Sequence, residues 1–130
     1  MQDRPTAAEL LATVATYLEE ELMPALDGPL AYRTRVALNL VGMLEREEAL
    51  GDASLMRERE ALAALLDVAP PANGPLEAQV AELNRQLVAA IDGGRVEHAR
   101  AWPVLMDVAH AKLAIIRPGY DDYDARGELP

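Results

Sequence analysis

The chain has 130 residues, which is enough to bury one hydrophobic core and too few for two ordinary domains. Its net charge is -10, and an acidic surface repels phosphate groups, which argues against binding to nucleic acid or to anionic membranes. It contains no cysteine, which excludes disulfides, thiolate nucleophiles and thiolate metal sites.

The N-terminal part of the chain predicts two amphipathic helices. Thr6 and Glu9 have the spacing of a capping box, and residues 24–29 form a proline-containing break that ends the first helix. A second helix is expected over about 30–50, with Gly51 just beyond its end as a C′ residue. The inner faces are predicted to carry Leu10, Leu11, Val14, Tyr17, Leu18 and Leu22 in the first helix and Tyr32, Val36, Leu40, Met43 and Leu50 in the second.

Three more helices are expected in the rest of the chain. They run over about 54–67, over 75–91, and from a first turn that contains Pro103 to Ile116. The segment 69–75 is rich in proline and is expected to be a loop between helices. The predicted inward residues are Leu55, Leu62, Leu65 and Leu66, then Leu76, Val80, Leu83, Leu87 and Ile91, and finally Leu105, Val108, Ala109, Leu113 and Ile116.

Five amphipathic helices with short connections predict an all-α fold, a single-domain helical bundle. We expect the bundle to occupy residues 1–120 and residues 121–130 to form an acidic, mobile tail. The N-terminus lacks the pattern of a signal peptide, and no apolar run approaches the ~20 residues that span a membrane. The expected protein is cytoplasmic and of bacterial type.

Three charged residues, Glu21, Glu47 and Lys112, fall within otherwise apolar helical stripes, and Lys112 is the only lysine in the chain. Charge is costly in an apolar interior unless it is paired, so these residues predict a carboxylate–lysine cluster where three helices meet. Arg35 and Asn39 flank the stripe that carries Glu47. Three interpretations stay open: a buried ion-pair network that fixes helix register, side chains that reach solvent at the ends of the stripes, and a ligand or catalytic site.

The sequence contains no nucleophile elbow, phosphate-binding loop, dinucleotide glycine pattern or metalloprotease motif. Asp107 and His110 have the i, i+3 spacing of metal ligands in helical bundles, but a di-metal site needs two such pairs, so no metal and no cofactor are expected.

We therefore expect a non-enzymatic interaction protein. The alternative is a small-molecule binder or minor enzyme with an interior pocket lined by Glu21, Arg35, Asn39, Glu47 and Lys112. A homodimer is a third possibility, because the regular stripe of the helix over 75–91 predicts apolar surface beyond what one bundle covers.

Several stretches together resemble a family of short, uncharacterised bacterial proteins that share a domain of unknown function. They are RPTAAELL (4–11), ELxPALxG (21–28), AYxxRVAxN (31–39), ERE (45–47), KLA (112–114) and RPxY (117–120), where x marks a position that does not contribute to the resemblance. Members of that family are often encoded beside aminoglycoside-phosphotransferase-like kinases and acyl-CoA dehydrogenases. The resemblance implies an accessory role with a kinase-like or acyl-CoA dehydrogenase-like enzyme as partner, and it assigns no activity. All five residues of the candidate pocket fall within these stretches.

Overall fold

The computed structural model describes residues 3–119, and within that range every regular element is helical, which confirms the all-α prediction. Four α-helices follow one another as α1 (Ala7–Thr16), α2 (Gly28–Leu66), α3 (Leu76–Asp92) and α4 (His98–Ile116). A π-helical segment, Tyr17–Leu22, and a 3-10 turn, Met23–Ala25, continue α1.

The chain divides into two compact units whose boundary lies between Gly51 and Asp52, and α2 contributes residues to both. The first unit is described over residues 3–51 and the second over residues 52–119. A single domain over residues 1–120 stays a prediction, and the predicted acidic tail, residues 121–130, lies outside the described residues.

The start of α1 confirms the predicted capping box. The backbone N–H of Glu9 donates to Thr6 Oγ1 at 3.2 Å, and the backbone N–H of Thr6 donates to Glu9 Oε2 at 2.7 Å. These two bonds satisfy amide groups that have no partner within the first turn of a helix. The change to 3-10 geometry at Met23 agrees with the break expected at Pro24.

The predicted end of a helix at Gly51 is wrong, because α2 continues through it to Leu66. The expected second and third helices are therefore one helix, and residues 3–119 form four α-helices where about five were expected. A glycine inside a helix costs only ~1 kcal/mol relative to alanine, and the residues on both sides of Gly51 are mostly strong helix formers. The propensity of the neighbours therefore outweighs the glycine.

We expect the Gly51→Ala variant to unfold at a temperature a few degrees higher, because alanine inside a helix gains up to about 1 kcal/mol. The added Cβ would lie 2.6 Å from Glu47 Oε1, which is the far end of a flexible side chain and can move aside. Thermal unfolding followed by circular dichroism measures the change. The matched control is Gly94→Ala, where φ is +72° and a side chain is strained, so the melting temperature should fall. A lower melting temperature for Gly51→Ala would contradict the continuous helix.

The second unit contains a hydrophobic core built from α2, α3 and α4. Its buried members are Leu62, Ala63, Leu65, Val80, Leu83, Leu87, Ala90, Val96 and Ala101. Leu62 and Leu83 have no exposed surface. Leu55, Leu66 and Ile91 are partly buried against the same core, so the inner faces predicted for residues 54–67 and 75–91 are confirmed.

The connection between α2 and α3 is held by two polar side chains. Arg59 Nε donates to the carbonyl oxygen of Pro71 at 3.0 Å and to Gln79 Oε1 at 2.7 Å. Gln79 Nε2 donates in turn to the carbonyl oxygen of Gly74 at 2.8 Å. Carbonyl groups that a proline-rich loop leaves without secondary-structure partners are thereby satisfied. The loop predicted over residues 69–75 is confirmed.

The exposed side of α3 carries an ion pair within the helix. Arg85 donates from Nε and Nη2 to Glu82 Oε2, at 3.0 and 2.6 Å, and Gln86 donates to Glu82 Oε1 at 3.3 Å. The hydrogen bonds from Arg85, and then that from Gln86, hold the pKa of Glu82 below its ordinary value. Because the folded state favours the ionised carboxylate, this pair stabilises α3 at neutral pH, and the stabilisation is lost as the pH falls through the lowered pKa.

The last helix begins earlier than predicted, and the residues that it buries differ from those predicted. It starts at His98, so Pro103 lies inside α4 and not in its first turn. Its buried residues are Ala101 and Ile115, whereas Leu105 and Ile116, predicted to face inward, are exposed. The helix is apolar around most of its circumference, so helical periodicity does not identify the buried side.

Candidate functional site

A cleft of about 440 Å³ opens in the second unit between α2 and α4. Its walls are formed by Ser54, Arg57, Glu58 and Ala61 from α2 and by Val104, Asp107, Val108 and Ala111 from α4. The volume lies within the range of small-molecule pockets. The cleft combines an apolar wall on α4 with charges of both signs, from Arg57 and from two carboxylates.

Glu58 is the buried charged residue of this cleft, with 5% of its surface exposed. Its Oε1 accepts hydrogen bonds from Asn84 Nδ2 at 3.2 Å and from Lys112 Nζ at 3.4 Å, and Asn84 also donates to the carbonyl oxygen of Val80 at 3.1 Å. Three helices, α2, α3 and α4, thus each contribute one residue to a polar cluster. A buried carboxylate needs such donors, because without them its desolvation is uncompensated.

Of the five predicted site residues, Lys112 is the one that the second unit contains. Its side chain is 57% exposed, and it forms an ion pair with Glu58. Glu58 was not among the residues predicted from the sequence, although its position contains a signal. Glu58 lies three residues after Leu55 and four before Leu62, and therefore inside the apolar stripe of the same helix.

The other four predicted residues belong to the first unit, and all four are exposed. Glu21 lies on the π-helical segment after α1. Arg35, Asn39 and Glu47 lie on α2. The carboxylate of Glu47 occupies the space that a side chain at Gly51 would fill. A common pocket for the five residues stays a prediction.

Apolar side chains are exposed along both helices of the first unit. They are Leu10, Val14 and Tyr17 in α1 and its continuation, and Leu30, Tyr32, Val36, Leu40, Leu44 and Leu50 in α2. Several of them were predicted to face inward, and that prediction is wrong, since no residue in the range 3–50 is buried. Leu11, Leu18, Leu22 and Met43 are half-buried. A stripe at helical spacing shows which side of a helix is apolar, but not whether anything covers it.

The N-terminal half of α2 is apolar on two sides. The half-buried side includes Ala31, Leu38 and Val41, and the exposed side includes Val36 and Leu40. At 3.6 residues per turn these two sets point in different directions. The first unit therefore leaves one apolar side of α2 in contact with water.

A second exposed apolar stripe lies on α4 in the second unit. It contains Trp102, Leu105, Met106 and Ile116, and Trp102, the only tryptophan of the chain, is 65% exposed. The sequence predicted uncovered apolar surface on α3 and not on α4. In the structure the apolar stripe of α3 is buried in the core of the second unit. The homodimer prediction therefore loses the surface on which it was based, whereas other exposed apolar surfaces are present.

The residues that the structure describes were compared with the requirements of a metal site and of a membrane span. Residues 3–119 contain no group of three or more His, Asp or Glu side chains placed to hold a metal ion. Asp107 lines the cleft and His110 is exposed. None of the described helices has both the length and the apolar character needed to cross a membrane.

Comparison with known proteins identifies a family without an assigned activity. No curated protein and no solved structure shows a significant match to the chain. One family model, described as a domain of unknown function (DUF6285), matches residues 24–120. This range contains all of α2, α3 and α4 and agrees with the expected uncharacterised domain family. Because the match covers well over half of its length, the chain belongs to the DUF6285 family.

Proposed function

We propose that this protein is a non-enzymatic accessory protein that binds another protein through the exposed apolar residues of its first unit. The observation that carries the proposal is the absence of any buried residue in the range 3–50, combined with exposed leucine, valine and tyrosine side chains on both helices there. Large contiguous apolar patches are rare on monomeric proteins and mark interaction sites. Aromatic residues such as tyrosine are also enriched at protein interfaces.

The proposed partner is a kinase-like or an acyl-CoA dehydrogenase-like enzyme, on the basis of the gene neighbourhood implied by the resemblance. Native co-purification from the source cell tests this directly. We expect one of the two enzymes to co-elute with the protein and the purified pair to bind at micromolar concentration or tighter. If neither enzyme binds, the choice of partner is wrong.

The interface is tested with substitutions on the exposed side of α1. Leu10→Glu and Val14→Glu place a carboxylate in the apolar surface and should weaken partner binding at least ~10-fold, since a charge buried at an interface without a partner is strongly unfavourable. Both residues are about half exposed, at 51% and 47%, so the fold of the free protein should tolerate the changes. Thr16→Glu, at an exposed polar position on the same helix that points away from Leu10 and Val14, is the matched control and should leave binding unchanged.

Trp102 distinguishes the first unit from α4 as the place where the partner binds. At 65% exposure its fluorescence in the free protein should be red-shifted and readily quenched by acrylamide. If the partner occupies the first unit, titration with a partner that carries no tryptophan near its interface should leave this emission unchanged. A blue shift with protection from quenching would assign the interface to α4 instead.

A second candidate function, binding of a small molecule, is supported by the cleft beside Glu58. A buried carboxylate that lines a cleft of about 440 Å³ is a common feature of binding sites. Thermal-shift measurements with acyl-CoA, sugars and nucleotides test this function. A ligand of the cleft should raise the melting temperature of the protein and lose its effect in the Glu58→Gln variant, while Glu60→Gln, an exposed glutamate on the same helix, serves as control. A ligand whose effect survives Glu58→Gln binds elsewhere.

A further inference from the structure

We infer that the exposed side of the N-terminal half of α2 pairs with the same surface of a second copy of this chain, antiparallel and centred on Leu40. The surface, called the α2 stripe here, consists of Arg33, Val36, Leu40, Leu44 and Glu47, and all five residues are exposed. The inference rests on the proposed function, because it assigns one part of the apolar surface of the first unit to a particular partner.

The positions of the α2 stripe are spaced symmetrically on the two sides of Leu40. Val36 and Leu44 each lie four residues from Leu40, and Arg33 and Glu47 each lie seven residues from it. At 3.6 residues per turn and 1.5 Å per residue, the five positions fall within an arc of about 80° and a length of about 21 Å. Their mean spacing of about 3.5 residues is that of helices that pack side by side.

A twofold axis through Leu40 makes this stripe complementary to itself. In an antiparallel pair of stripes, Leu40 meets Leu40 of the second copy, and Val36 meets Leu44 of the second copy. Arg33 then lies opposite Glu47 of the second copy, and the symmetry creates this oppositely charged pair twice. Apolar residues thus occupy the centre and opposite charges the two ends, which is the usual anatomy of a protein interface.

The charges also select this arrangement over its alternative. A parallel pairing would place Arg33 against Arg33 and Glu47 against Glu47, and like charges in an interface disfavour that orientation. The same pairing accounts for Glu47, a carboxylate within an apolar stripe that is exposed in the single chain. In the dimer its partner is a guanidinium group of the second copy.

Sedimentation velocity of the full chain between about 1 and 100 μM measures the dimerisation constant. Leu40→Glu places two carboxylates at the twofold axis and should leave only monomer over this range. Arg33→Glu and Glu47→Arg each replace two opposite-charge pairs by like-charge pairs and should weaken dimerisation about tenfold or more. The double variant Arg33→Glu/Glu47→Arg restores opposite charges and should recover most of the affinity of the original chain.

Matched controls lie on the same helix but outside the α2 stripe. Arg35→Glu and Ala49→Glu introduce the same type of side chain at exposed positions on the opposite side of the helix from Leu40, and they should leave dimerisation unchanged. Circular dichroism of every variant verifies that the helices are retained.

Three outcomes would overturn the inference. A chain that is monomeric at about 100 μM has no such interface. A dimer that Leu40→Glu does not disrupt uses another surface, and a dimer whose charge reversal is not rescued by the double variant pairs in another register. The proposed function fails separately, when Leu10→Glu and Val14→Glu leave binding of the enzyme partner intact. A monomer that still binds its enzyme through α1 would retain the proposed function without the dimer.

Discussion

Replacing Leu83 with alanine should lower the free energy of unfolding of the second unit by about 3–5 kcal/mol. Leu83 is fully buried, in the middle of α3, within the core that α2, α3 and α4 share. The substitution removes one methine and two methyl carbons from a close-packed interior and leaves a cavity that the neighbouring helices fill only in part. For a unit of this size, a loss of this magnitude lowers the melting temperature by more than ~10 °C.

Thermal and urea unfolding followed by circular dichroism measure this effect. The matched control is Val88→Ala on the same helix, whose side chain is 60% exposed and whose truncation should change the free energy of unfolding by less than about 0.5 kcal/mol. Leu62→Ala, the other fully buried leucine, should resemble Leu83→Ala. A Leu83→Ala protein as stable as Val88→Ala would be incompatible with the buried face of α3.

The ion pair between Lys112 and Glu58 predicts an unequal response to removal of its two members. Lys112→Met removes the exposed member and leaves the buried carboxylate with Asn84 as its side-chain donor, which should cost about 1–3 kcal/mol of stability. Glu58→Gln removes the buried charge, and the lysine that remains is 57% exposed and is solvated by water, so the cost should be smaller.

The double variant Glu58→Gln/Lys112→Met completes the cycle and measures the coupling between the two side chains. Because both charges are removed together, it should be more stable than Lys112→Met alone. Lys112→Met combined with Glu60→Gln, which changes an exposed carboxylate on the same helix, is the control and should show no recovery. If Lys112→Met is as stable as the original protein, the ion pair does not stabilise the fold. If Glu47→Gln or Glu21→Gln recovers stability instead, the pairing first expected from the sequence is correct.

Local features of the chain were determined by the sequence itself. The capping box of Thr6 and Glu9 and the proline-rich break over residues 69–75 depend on hydrogen bonds or backbone torsions of residues close in sequence. The buried face of α3 was also predictable, since its apolar residues follow one regular stripe with polar residues opposite. These features need no knowledge of what the rest of the chain does.

The tertiary structure alone decided which apolar stripes are covered and which carboxylate pairs with Lys112. Leu10, Leu40 and Leu105 lie on stripes as apolar as that of α3, yet they are exposed, because burial depends on the presence of another helix and not on periodicity. Helical spacing showed that a carboxylate on an apolar face needs a partner, but the partner of Lys112 is Glu58, 54 residues away in sequence. A contact over such a separation is created when α2 and α4 pack around one core, and no local pattern encodes the distance between them.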